Sequence, residues 1–340
     1  MGITKALFST LLLFALASVV AAADAIAELS SFSVFDSVNL AELAKGDAKT
    51  AHGPLMSNSR YLSVQSCYVA AGSPAQQVEA LRKWSPTKHP ELKVYLYSDL
   101  PAPPGPVDFA KLQKAPDNRA VRTLVSATQK TSSDLQISRN EAKKFSNEES
   151  KGGGAMPPAV AKFWADVLSG RGGAFSSGGT SAQPPYDHMD EAIKPGEDLN
   201  GLLKEQGKIR KQFSSFLGET GIGRSAGSLR PELYWELLEA DDQGVLTLGA
   251  SFTRAGSGGT QQVADCLYYA SGGYYVALTL YQMWPITVEG KASTLVWRGD
   301  MISSASLASL HGVEKLASES VMMKDISKAI ALFRRDTGGR

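Results

Sequence analysis

Cysteine is almost missing from this chain: Cys67 and Cys266 are the two present in 340 residues. No C-x-x-C pair occurs, which excludes thioredoxin-like dithiol chemistry. Histidine is nearly as sparse, with four residues and no H-E-x-x-H, so the familiar zinc-hydrolase spacing is lacking. Neither sign of charge prevails. The 35 basic and 34 acidic residues leave a formal net charge of +1, without the basic excess that marks most nucleic-acid-binding domains. Beyond the N-terminus no apolar run reaches the length of a bilayer span. Phosphate loops, fixed-period repeats and glycosylation sequons are also missing. These absences imply no cofactor, no nucleic acid and no transmembrane segment in the processed chain.

What is present begins with an address. Lys5 precedes an apolar run from Ala6 to Ala22, and Ala21-Ala22-Ala23 places small residues before Asp24. That pattern reads as a secretory signal peptide over residues 1–23, and it predicts an exported, periplasmic or secreted protein. An uncleaved anchor helix is the rival reading. In an oxidising compartment the even pair Cys67 and Cys266 permits one disulfide; two buried reduced thiols are the alternative.

Period and punctuation predict an α+β fold: a predominantly antiparallel sheet, made by a C-terminal β-meander, covered by helices and joined by an N-terminal strand-helix-strand unit. The meander runs from Leu233 to Trp297. Leu233, Trp235 and Leu237 alternate with Tyr234, Glu236 and Leu238, and Asp241 to Gly244 supplies turn residues. Leu246, Leu248, Ala250 and Phe252 share a face of the second strand. Ser271-Gly272-Gly273 links a third strand to a fourth, in which Val276, Leu278 and Leu280 oppose Tyr275, Ala277, Thr279 and Tyr281. Pro285 is expected to close that strand, because it lacks a backbone donor.

Upstream, residues 24–150 hold the strand-helix-strand unit at 60–98, with a helix N-cap at Ser73-Pro74 and a Pro-rich connector at 101–106. Residues 155–336 form the second region, which either stands apart or shares one sheet with 60–98. Its first helix opens at Pro157-Pro158 and is expected to stop at Gly170. Gly, Ser, Thr and Pro dominate Arg171 to Pro185, which predicts a structureless loop. From Asp198 to Leu217 a stripe of Leu199, Leu202, Gln206, Ile209, Phe213 and Phe216 predicts one helix, packed on the sheet or paired with another subunit. Two further helices are expected after Ser303. The first carries Leu307, Leu310, Val313 and Leu316; the second, from Val321 to Phe333, carries Met322, Ile326, Ile330 and Phe333.

Four sequence features point toward chemistry. Gly223-Arg224-Ser225-Ala226-Gly227 matches G-x-S-x-G, yet a helix precedes it and a strand follows, the inverse of the order that raises a nucleophilic serine. The same inversion counts against Gly221-x-Gly223-x-x-Ala226 as a dinucleotide fingerprint. Asp187, His188, Asp190 and Glu191 gather oxygen and nitrogen donors that suit a divalent metal, or else form an acidic helix start. Tyr268, Tyr269, Tyr275 and Tyr281 crowd two adjacent strands, where exposed rings would stack on a carbohydrate and buried ones would fill a core.

The leading functional expectation is an exported, non-catalytic binding or protein-interaction protein whose ligand is a protein or a carbohydrate. The alternatives are a secreted hydrolase using Ser225 as nucleophile and a self-associating structural protein, a homo-oligomer joined through the helix at 198–217.

Overall fold

The computed structural model describes residues 22–146, 154–188, 192–222, 227–310 and 313–338. The segment proposed as a signal peptide falls almost wholly outside them.

Five consecutive strands form the meander: β4 (Glu232–Ala240), β5 (Gln243–Ala255), β6 (Gln261–Ala270), β7 (Val276–Val288) and β8 (Lys291–Ser303). Local chemistry makes two of the turns. Asp241 and Asp242 take φ of 49° and 60°, and Glu289-Gly290 take 51° and 75°, the paired positive values of a tight hairpin. β7 does not stop at Pro285, which pairs with Thr294 of β8. The ladder from β7 to β6 has already ended at Met283, leaving an edge on which a residue without N–H is tolerated.

The N-terminal strands complete one antiparallel sheet in the order β1-β2-β8-β7-β6-β5-β4-β3. Here β1 is Lys49–His52, β2 is Tyr61–Ala71 and β3 is Val94–Leu100. The two strands of the strand-helix-strand unit are therefore not neighbours. They lie on opposite sides of the meander, and α3 (Pro74–Lys83) passes beneath β6, β7 and β8 to connect them. The predicted capping box starts α3: Gln76 N donates to Ser73 Oγ at 3.4 Å and Ser73 N donates to Gln76 Oε1 at 2.8 Å.

Each face of the sheet has its own core. The first face carries Leu246, Leu248, Ala250, Phe252, Val276, Leu278 and Leu280. Helices cover it: α1 (22–32), α2 (Leu40–Lys45), α4 (Arg119–Gln129), α6 (Pro158–Gly178) and a chain of three short helices. Those three are α7 (Pro195–Glu205), α8 (Gly207–Gln212) and α9 (Ser214–Thr220), where the periodicity predicts one helix. Gln206 (ψ 57°) and Phe213 (ψ 7°) leave helical geometry, so the chain bends and all six stripe residues reach the core.

The expected loop at 171–185 is largely helical. α6 continues past Gly170 because Arg171, wholly buried, donates to Glu141 Oε2 at 2.6 Å and lies 4.3 Å from the Tyr269 ring centre. Gly172 admits Pro104 of the Pro-rich connector to a space that a Cβ would fill, 2.4 Å from Pro104 Cγ. Glu141 belongs to the short α5 (Arg139–Ala142).

The second face carries Leu62, Val64, Tyr68, Val263, Tyr281, Met283 and Val296, covered by α3, α10 (Ala305–Ala308) and α11 (Val313–Asp336). α11 is one helix of 24 residues, not the end of one and the whole of another; it turns Ile326, Ile330 and Phe333 inward and leaves Leu316 and Val321 exposed. None of the described helices is long and apolar enough to cross a membrane.

Cys67 and Cys266 are both free and buried, the second of the two alternatives the sequence leaves open. β8 and β7 lie between their strands. Three strand spacings and an offset of four residues, since Cys67 is level with Gln262 on β6, put them about 20 Å apart, roughly three times the Cα separation a disulfide spans.

Candidate functional site

A sheet face that packs against helices should be apolar, and the middle of the second face is not. Pairing aligns Glu232, Ser251, Asp265, Thr279 and Asp300 in one row across β4 to β8. The next row holds Thr253, Val263, Tyr281 and Arg298, ending at Ser66 of β2. On the other side Tyr234 stands opposite Gly249, and Glu236 lies between Tyr97 of β3 and Thr247 of β5.

Most of these side chains, Tyr234, Glu236, Asp265, Thr279, Tyr281 and Arg298 among them, floor a cavity of 440 Å³, within the range that small-molecule sites occupy. Val78 and Leu81 of α3, Trp84 just after it, and Ala329, Ile330 and Phe333 of α11 roof it. The far end of α11 is fastened beside it. Asp336 Oδ2 accepts from Trp84 Nε1 at 2.9 Å and lies 2.7 Å from His89 Nε2, while Trp84 meets the Phe333 ring edge-on at 5.9 Å.

One part of the floor satisfies itself. Arg298 grips Asp300 with Nε and Nη2 at 2.8 and 2.7 Å, and Thr279 Oγ1 donates to the same carboxylate at 2.9 Å. The other part does not. Asp265 accepts one hydrogen bond, from Tyr234 Oη at 2.6 Å, and Glu236 one long one, from Thr247 Oγ1 at 3.5 Å. Neither carboxylate has an ion-pair partner among the described residues.

The physical result is a pair of reluctant acids. Burial first, and the charge of Asp265 second, push the Glu236 carboxyl up to about 7. Burial likewise raises Asp265 to about 6, although Tyr234 and Arg298 oppose it. Rings flank them, with Tyr97 and Tyr234 stacked at 5.6 Å. Tyr68 lines the cavity at 2% exposure with no hydrogen bond to its hydroxyl among the described residues, and Ser66 Oγ is buried and unpartnered on the same face.

Of the residues singled out by sequence, Tyr281 lines this cavity. Tyr268 and Tyr269 are wholly buried on the first face, against Phe175 at 4.0 Å and Arg171, so they form no exposed platform. Tyr275 packs on Tyr186 at 6.0 Å. Asp187 Oδ1 accepts from Arg139 N at 2.8 Å, and His188 Nε2 lies 3.0 Å from Thr131 O, so the two serve different neighbours. Asp190, Glu191 and Ser225 lie outside the described residues. In chain order Ser225 falls between a helix, α9, and a strand, β4. No metal-ligating group of three or more residues occurs among the described residues.

Glu236, Asp265, Tyr234, Arg298 and Asp300 were not legible as a site. The available signal was charge at inward positions of apolar strands, Asp265 between Ala264 and Cys266, and Arg298 and Asp300 two apart on β8.

A second hollow of 640 Å³ lies between α5 and α6, but its charged walls, among them Arg139, Lys143, Lys144 and Lys162, are exposed. Comparison with family models finds no match, and comparisons with curated proteins and with solved structures find none either.

Proposed function

We propose that this is an exported, non-catalytic binding protein for a small molecule held between the second face of the sheet and the helices α3 and α11. The observation that carries the reading is the polar row from Ser251 to Asp300, set on a helix-covered sheet face where packing alone calls for apolar side chains. An apolar roof over a few convergent polar groups is the usual composition of a ligand site. The cavity lining contains neither histidine nor cysteine, so it offers no thiol nucleophile and no imidazole base. Export is supported by the charged and apolar N-terminus with small residues before Asp24.

Thermal denaturation of the purified chain against a library of small metabolites tests the proposal, since a ligand of the native state at a hundredfold excess over Kd adds about 2.7 kcal/mol. Ala329→Trp, which fills the cavity from α11, should abolish the stabilisation. Hits that stabilise this variant as much as the parent would place the ligand elsewhere and defeat the reading.

A further inference from the structure

Resting on that reading, we propose that the cavity selects an organic cation: an ammonium group seated beside Glu236 and Asp265, with the apolar remainder of the molecule under Leu81, Ile330 and Phe333. The charge balance of the lining points there. Arg298 is neutralised by its two-point grip on Asp300, and at the rim Arg82 pairs with Glu232 at 2.8 Å. Asp99 accepts from Tyr97 Oη at 3.1 Å. Glu236 and Asp265 are left as acceptors without a cation, in a site shielded by protein on most sides.

An anionic ligand would face those carboxylates with no uncommitted guanidinium to meet it. A neutral apolar ligand would remove their remaining water and offer nothing in return. An ammonium group supplies both charge and donors, and charge-assisted hydrogen bonds of that kind are the stronger class. The stacked Tyr97 and Tyr234 add electron-rich ring faces near the same carboxylates. Independent of the acids, Tyr68 lines the cavity as a 2% exposed residue whose hydroxyl has no hydrogen bond among the described residues, as expected where a ligand atom completes its hydrogen bonding. A bare divalent metal is a poorer occupant, because no group of three ligating side chains converges there among the described residues.

Phenylbutylamine and its neutral counterpart phenylbutanol, titrated calorimetrically into the full chain at about pH 8, separate the alternatives, since both carboxylates are ionised there. The amine should bind at least ~10-fold more tightly than the alcohol. Glu236→Gln and Asp265→Asn should each remove most of that preference. Glu236→Asp, which keeps the charge, should retain it, and circular dichroism confirms that each variant folds. Equal affinity for the two probes would overturn the cation assignment and leave the cavity as a binding site. Failure of both probes to bind the folded parent would overturn the assignment and the binding reading together.

Discussion

Tyr234 occupies the space that a side chain at Gly249 would need. The two face each other across β4 and β5, and a Cβ at 249 would fall 2.1 Å from Tyr234 Cζ. With that space clear, the tyrosine ring crosses β5 and its hydroxyl reaches Asp265 on β6. The glycine thus positions the acid indirectly, by letting its one hydrogen-bond donor lie flat on the sheet.

Gly249→Ala should therefore cost about 1–3 kcal/mol, the range for overpacking a fitted site. Chemical denaturation measures the loss. In a Tyr234→Ala background the same substitution should cost much less, because the obstructing ring is gone and the two changes share one contact. Equal costs in the two backgrounds would show that the ring is not what the glycine accommodates.

The carboxylates make stability depend on pH in an unusual direction. Glu236 and Asp265 have folded-state values of about 7 and about 6, above the ordinary 4.5 and 3.8. The folded state consequently holds protons that the unfolded chain has released. Their stabilising contribution is complete below the unfolded values and is lost as pH rises through the folded ones. For Glu236 alone it is on the order of 3 kcal/mol. Denaturation across pH 4 to 8 should show this decline in the parent and a shallower one in Glu236→Gln. Identical slopes would mean that the glutamate is not held protonated.

Both thiols should be silent in the folded protein. Burial pushes Cys67 up to about 12, and Cys266 is raised further by burial and the nearby Asp265. A thiol reagent should label neither under native conditions and both after denaturation, and reductant should leave the melting temperature unchanged. A reductant-sensitive melting curve would require strand order other than the one described.

Legibility followed the range of the interactions. The hairpin at Asp241-Asp242 and the box at Ser73 depend on neighbours within a few residues, so residue types sufficed. The two faces of β7 also followed from alternation alone, with Val276, Leu278 and Leu280 on one side and Thr279 and Tyr281 on the other. Continuation of α6 past Gly170 could not be read, because Arg171 is held by Glu141, 30 residues away. The site was hidden for the same reason. Asp265 meets Tyr234 31 residues away, and it joins Thr279 and Asp300 only through the pairing of three strands. As isolated residues these are unremarkable strand polar groups; register turns them into a row.

The last expectation concerns how the roof is held. α11 contributes Ala329, Ile330 and Phe333 to the cavity, and three residues beyond Phe333 its end is fastened through Asp336 to Trp84 and His89. Hydrogen bonds from Trp84, and then from His89, hold the Asp336 carboxyl below its usual range, so the fastening persists above that range and weakens as acid protonates it. Asp336→Ala should release the last turn of α11 while the inward residues Ile326 and Ile330 keep the rest in place. Amide exchange should then quicken several-fold over residues 330–336 and stay unchanged in β6 and β7, the pattern of local opening rather than global loss. Because the released turn borders the cavity, dissociation of a bound probe should also speed up with little change in its association rate. Uniformly faster exchange across the sheet would mean instead that Asp336 supports the whole fold and has no particular hold on the roof.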